Sequence, residues 1–151
     1  MLKLLGIVFL NLIVAVGLVT TQFLIGGDFL TEFIKNQVPQ IMATAMALNI
    51  ATITFLSGSL VNIERALKGD KELFKNTRSE LKQNIIAMAC IYVLNLFVTI
   101  FVNNNNVIFG IEVQHIVLTL SLLLTLLFGS LMLEVSFLVL DIKGFNDKKK
   151  Q

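Results

Sequence analysis

Cysteine, histidine and proline each occur once in these 151 residues, as Cys90, His115 and Pro39. A single cysteine excludes an intrachain disulfide, and because Cys90 lies inside an apolar run the redox compartment cannot be inferred. A single histidine and a single cysteine give little material for a metal centre. No glycine-rich nucleotide loop is present, and no Ser/His/Asp set that could assemble, so the chain reads as a non-enzyme without a cofactor. Charge is scarce as well. Asp, Glu, Lys and Arg make up 15% of the chain, where a soluble domain carries about 25%.

What fills the space is apolar. Leu4–Ile25, Ile41–Ile63, Ile85–Val102 and Ile116–Leu133 contain no charged residue at all. A helix needs about 20 apolar residues to cross a hydrocarbon layer roughly 30 Å thick. The chain is therefore expected to be one all-α, polytopic membrane domain. Its four transmembrane helices span about residues 4–25, 39–63, 85–102 and 113–140, with no room for a separate soluble domain. The first run resembles a signal peptide, with Lys3 before it and Ala15-Val16-Gly17 as a small-residue cut site. Signal h-regions are only about 7–15 residues long, and this run continues unbroken to Ile25, so it is read as retained.

Basic residues mark cytoplasmic loops. Eleven of the twelve Lys and Arg fall on one side of a four-span arrangement: Lys3, the six between Arg65 and Lys82, and the four from Lys143 onward. Only Lys35 falls on the other. Both termini and the central loop are thus expected in the cytoplasm, and any other span count would scatter the charges.

Local signals divide the rest. Gly26-Gly27 closes the first helix, and Asp28–Gln37 has the pattern of a short amphipathic interfacial helix, with an ordered apolar loop as the alternative. Pro39 suits the first turn of the second span. Gly69 fits a helix C-cap and Asp70 the N-cap of the next helix; Thr77-Arg78-Ser79-Glu80 offers a second start as a capping box. Residues 62–84 are expected to form a charged helical hairpin projecting about 10–15 Å into the cytoplasm. Asn103–Asn106 favour a turn. The fourth helix is expected to run from about Ile111 to Lys143 and end at Gly144, leaving a basic tail, 144–151.

Several residues within this frame are candidates for function. Ala43, Ala47, Ala51, Thr54 and Gly58 form a small-residue face on the second span, and Ser121, Thr125 and Gly129 form another on the fourth. Such faces permit close helix packing in lipid, either within one chain or between copies in a homo-oligomer. Glu134 is the one ionisable residue well inside a span. Intramembrane carboxylates are costly and often functional, so it reads as an ion or proton site, or as a side chain neutralised by protonation or by Arg65 or Lys82. Asn11, Asn49 and Asn95 need partners in hydrocarbon, facing the bundle interior, a subunit interface or a pore. Glu112 and His115 form one Glu-x-x-His pair. A di-iron bundle needs two such pairs and further carboxylates, so this pair reads as a polar cap.

Outside the bilayer, Leu67, Phe74 and Leu81 recur every seven residues among Lys71, Lys75 and Arg78. An apolar stripe among mixed charges suits docking of a cytosolic protein, while solvated-loop chemistry remains the plain alternative. The interleaved Glu64, Asp70, Glu72 and Glu80 leave too little unpaired charge for direct nucleic-acid binding. The overall plan resembles the small four-span membrane subunits of bacterial anti-phage systems, in particular the Kiwa membrane subunit. The features shared are four short-looped helices, both ends inside, and the charged hairpin Asn62–Asn84. That resemblance implies an oligomeric membrane sensor or scaffold coupled to a cytosolic DNA-binding effector, and it transfers no individual residue. The expected function is a sensor or anchor in the bacterial inner membrane. The competing expectation is an oligomeric pore, an ion channel or holin-like permeabiliser, lined by Glu134 and the asparagines.

Overall fold

The computed structural model describes residues 2–66, 74–102, 107–108 and 111–148. They form five helices: α1 (Leu2–Ile25), α2 (Phe29–Asn36), α3 (Val38–Ala66), α4 (Lys75–Thr99) and α5 (Val113–Lys148). The four long ones, α1, α3, α4 and α5, are long and apolar enough to cross a membrane. A helix satisfies its backbone polar groups internally, which is why long charge-free runs adopt it in hydrocarbon. The exception to all-helical structure among the described residues is a two-residue antiparallel pairing, Val107–Ile108 with Ile111–Glu112, just before α5.

The chain ends α1 at Gly26, whose φ of 72° is the left-handed conformation that terminates helices. The Gly26 and Gly27 amides both donate to the Gln22 carbonyl. Two residues later α2 begins, so the Asp28–Gln37 segment is a helix, with Thr31 and Ile34 buried and Phe29 exposed. Pro39 sits in the first turn of α3, where its missing N–H leaves no acceptor unfilled.

Two boundaries differ from expectation. Helix α4 starts at Lys75 with Phe74 as its N-cap residue, five residues after Asp70 and two before Thr77. No side chain of the N-cap residue closes it; the Glu64 carboxylate, ten residues upstream, accepts the Phe74 amide at 3.2 Å instead. Helix α5 runs through Gly144 to Lys148. One glycine costs about 1 kcal/mol in a helix, too little to stop one this long. The Gly69/Asp70 caps, the Asn103–Asn106 turn, the tip of the expected hairpin and Lys149–Gln151 lie outside the described residues.

Helix α5 is the hub: it contacts α1, α2, α3 and α4. Helices α3 and α4 pack as an antiparallel pair. Their buried residues recur at sevens, Met42, Asn49 and Leu56 on α3 and Leu81, Met88 and Asn95 on α4, the period of a coiled-coil seam. One core cluster runs from Ala15 and Val19 of α1 through Ile34, Met42 and Met88 to Leu118, Leu122 and Phe128 of α5. A second joins Ile53 and Leu60 of α3, Leu81 of α4 and Val135 of α5.

The surface is inverted relative to that of a protein in water. Leu5, Phe9, Leu24, Phe55, Leu94, Phe97 and Phe137 are exposed, while Asn49, Asn95 and Ser121 are buried. Most exposed hydroxyls on the helices are bonded to their own backbone. Thr20, Thr21, Thr52, Thr54, Ser59 and Ser136 each donate to the carbonyl four residues back. A hydroxyl satisfied by its own helix can face lipid without an unmet polar group.

Candidate functional site

Polar side chains gather at three levels of the bundle. At mid-bundle, Asn95 uses its whole amide. Its Nδ2 donates to Thr125 Oγ1 at 3.0 Å and to Met42 Sδ at 3.0 Å, and its Oδ1 accepts from Ser121 Oγ at 2.6 Å. Thr125 in turn donates to the Ser121 carbonyl at 2.8 Å. One side chain thereby ties α4 to α3 and α5. Asn49 of α3 donates to Met88 Sδ of α4, so the two helices exchange an amide and a thioether in both directions. Asn11 of α1 donates to Ser130 Oγ of α5 at 3.2 Å. All three asparagines therefore face partners within the chain, and their amides are engaged in helix-helix contact.

At the end carrying α2, Gln22 holds two helices together. Its Oε1 accepts the Leu30 amide at 2.6 Å, closing the N-terminus of α2 where Asp28 makes no side-chain cap. Its Nε2 donates to Thr31 Oγ1 at 3.2 Å, and Gln114 of α5 reaches the same hydroxyl at 3.4 Å. Sequence reasoning missed this cluster; Gln114 is remote from Thr31 in the chain, and no local pattern connects them. His115 lies against the Phe23 ring, 3.9 Å from the Glu112 carboxylate. Among the described residues, no group of three or more His, Cys, Asp or Glu could hold a metal.

The opposite end brings together the start of α4, the end of α3 and the second half of α5. Glu64 Oε1 accepts from Arg78 Nη2 at 2.9 Å as well as from the Phe74 amide, closing the end of α3 onto the start of α4. Two cavities of about 310 Å³ each lie along the first turns of α4. One is lined by Glu80, Gln83, Asn84, Ala87, Leu131 and Glu134. Glu134 is exposed there, with no ion pair to Lys82 among the described residues, and the buried Asn84 Oδ1 has no hydrogen-bond partner. The other is lined by Lys75, Arg78, Ser79 and Lys82.

The expected docking stripe is resolved differently. Leu81 is 1% exposed, packed with Ile53, Leu60 and Val135, and Phe74 is partly buried against the same cluster. Their seven-residue spacing belongs to the α3–α4 seam, which continues past the uncharged run, so neither side chain is an outward anchor. Leu67 and Lys71 lie outside the described residues, while Lys75 is exposed and Arg78 is engaged by Glu64. The two small-residue faces also part company. Ser121 is buried and Thr125 and Gly129 half-buried, whereas Ala43, Ala47, Ala51, Thr54 and Gly58 are exposed. Nothing lies within 4 Å of where a Gly58 Cβ would be. The α3 face is therefore turned outward, away from α5's.

Comparison with known protein families, curated proteins and solved structures finds no match to this chain.

Proposed function

We propose that this protein is a multi-pass membrane scaffold of the bacterial inner membrane, without catalytic activity. It is expected to assemble with copies of itself and to hold a cytosolic protein at its basic end. The observation that carries the reading is the inversion of the surface: large apolar side chains outward, amides paired inward, most outward hydroxyls bonded to their own helices. Such a molecule has lipid as its solvent. The charge pattern supports the orientation: eleven of the twelve Lys and Arg, with Lys75, Arg78 and Lys82 in the first part of α4 among them, fall on one side of a four-span arrangement and Lys35 on the other. Cations on that scale mark the cytoplasmic side.

The docking surface in this proposal is the charged tip around Lys71 and Lys75, since Phe74 and Leu81 belong to the bundle. The outward face of Ala43, Ala47, Ala51 and Gly58 is the proposed contact between copies. The plan shared with the Kiwa membrane subunit supplies a context, antiviral defence, and a class of partner, a cytosolic DNA-binding effector. Purification of the intact complex in mild detergent, with mass measurement, tests both parts. A defined oligomer carrying a soluble protein is expected, with the soluble protein lost on charge reversal of Lys71 and Lys75. A bare monomer would defeat the proposal. Exposure of Glu134 favours one second reading, a conducting path between copies; conductance in planar bilayers that changes with Glu134→Gln would move the assignment there.

A further inference from the structure

The two cavities beside α4 differ in sign, and the basic one is an open concavity lined by α4 side chains. Lys75, Arg78, Ser79 and Lys82 follow the i, i+3, i+4, i+7 spacing of one helix face, and together they line a cavity of about 310 Å³. Ser79 and Lys82 are exposed, and Lys82 has no ion-pair partner among the described residues. Arg78 is held in place by Glu64 at 2.9 Å, an attachment that uses Nη2 and fixes the orientation of the remaining guanidinium donors. The uncharged run of α4 opens at Ile85. At about 1.5 Å per residue, Lys82 lies roughly 5 Å and Ser79 roughly 9 Å beyond that boundary. A headgroup layer is about 5–8 Å deep on each side of the hydrocarbon, so the cavity begins within it at Lys82 and extends past its outer edge.

We infer that this cavity binds the phosphodiester of an anionic phospholipid from the adjoining leaflet. A phosphodiester offers two unbridged oxygens with one negative charge. The Lys82 ammonium meets that charge, the Ser79 hydroxyl donates to an oxygen, and the clamped Arg78 presents planar donors. The acyl chains then lie along the exposed apolar side of α4, where Ile86, Val93, Leu94 and Phe97 are uncovered. Neither a free phosphate nor an acidic peptide has a use for that surface. The neighbouring cavity, with Glu80 and Glu134, repels the same phosphate, so the headgroup is sorted to one side of the helix. Juxtamembrane clusters of Lys and Arg attract anionic headgroups. The inference rests on the membrane reading above and is independent of any protein partner.

The full chain in mild detergent, analysed by native mass spectrometry with phosphatidylglycerol or phosphatidylcholine added, tests it. Phosphatidylglycerol is expected to be retained in preference to phosphatidylcholine, and Lys82→Gln to weaken retention about fivefold. Lys35→Gln removes the same charge at the far end and is expected to leave retention unchanged. Ser79→Ala/Lys82→Gln should weaken it further, with helical circular dichroism matching the parent chain. Equal loss in Lys35→Gln and Lys82→Gln overturns the site, because it makes the attraction a property of overall charge. Displacement by millimolar glycerophosphoglycerol, which has the headgroup and no chains, or by a hexaglutamate peptide also overturns it, reassigning the cavity to a soluble anion or a protein contact. Resistance to carbonate extraction, measured in parallel, separates failure of this inference from failure of the membrane reading.

Discussion

Helix α1 and the α3–α4 pair are both apolar rods, yet they are held in different ways. Among the described side chains of α1 only Ala15 and Val19 are buried apolar residues, and the bonds to other helices are those of Asn11 and Gln22. Helices α3 and α4 share a seven-residue seam, exchange two Asn–Met contacts, meet α5 through Asn95 and are latched by Glu64. Burial of apolar area drives little association in lipid, because acyl chains are as apolar as leucine. Packing and interhelical hydrogen bonds therefore decide which helices hold tightly. By hydrogen bonding α3, α4 and α5 form the more heavily tied part, while α1 is held to α5 mainly by packing.

The comparison breaks most visibly at Asn95. Replacing it by leucine removes bonds to three residues and leaves the Ser121 hydroxyl without its acceptor. A loss of about 1–2 kcal/mol is expected, above the roughly 0.6 kcal/mol typical of one interhelical bond in lipid. Steric-trap unfolding in bicelles measures it, and a loss no larger than that of Asn11→Leu would remove the distinction. Glu64→Gln comes next. The carboxylate is 9% exposed and the guanidinium 27%, so solvent screening holds the loss to about 1 kcal/mol. It should register as faster amide hydrogen exchange over Phe74–Ser79 with the centre of α4 unchanged. Asn11→Leu, breaking one part-buried bond, is expected to cost about 0.5 kcal/mol and to loosen α1 alone in exchange experiments. Thr52→Val sharpens the comparison from the other side. Its hydroxyl bonds only to Leu48 of its own helix, so a change within about 0.5 kcal/mol is expected.

The spans are legible in the sequence because charge is excluded from hydrocarbon, and their limits follow from Gly26, Pro39 and the uncharged runs. The start of α4 is not legible, because its cap comes from Glu64 rather than from the residues beside it. The Gln22–Thr31–Gln114 cluster is invisible for the same reason. Leu81 teaches a different lesson. Its seven-residue recurrence is plain in the sequence, but a heptad seam and a docking stripe have the same spacing. Only the position of Ile53, Leu60 and Val135 around it distinguishes the two. The recurrence of Met42 and Asn49 against Met88 and Asn95 was open to the same test, since two antiparallel helices with polar residues at sevens are positioned to pair.

Helix α5, which touches all the others, follows them in the chain. The ribosome therefore releases α1, α3 and α4 before their common contact exists. During synthesis α3 and α4 can already dock through their own seam, while Asn11 waits in the bilayer for Ser130. A nascent chain halted before residue 113 would be a half-built bundle with an unanchored helix, the kind of species that membrane quality-control proteases remove.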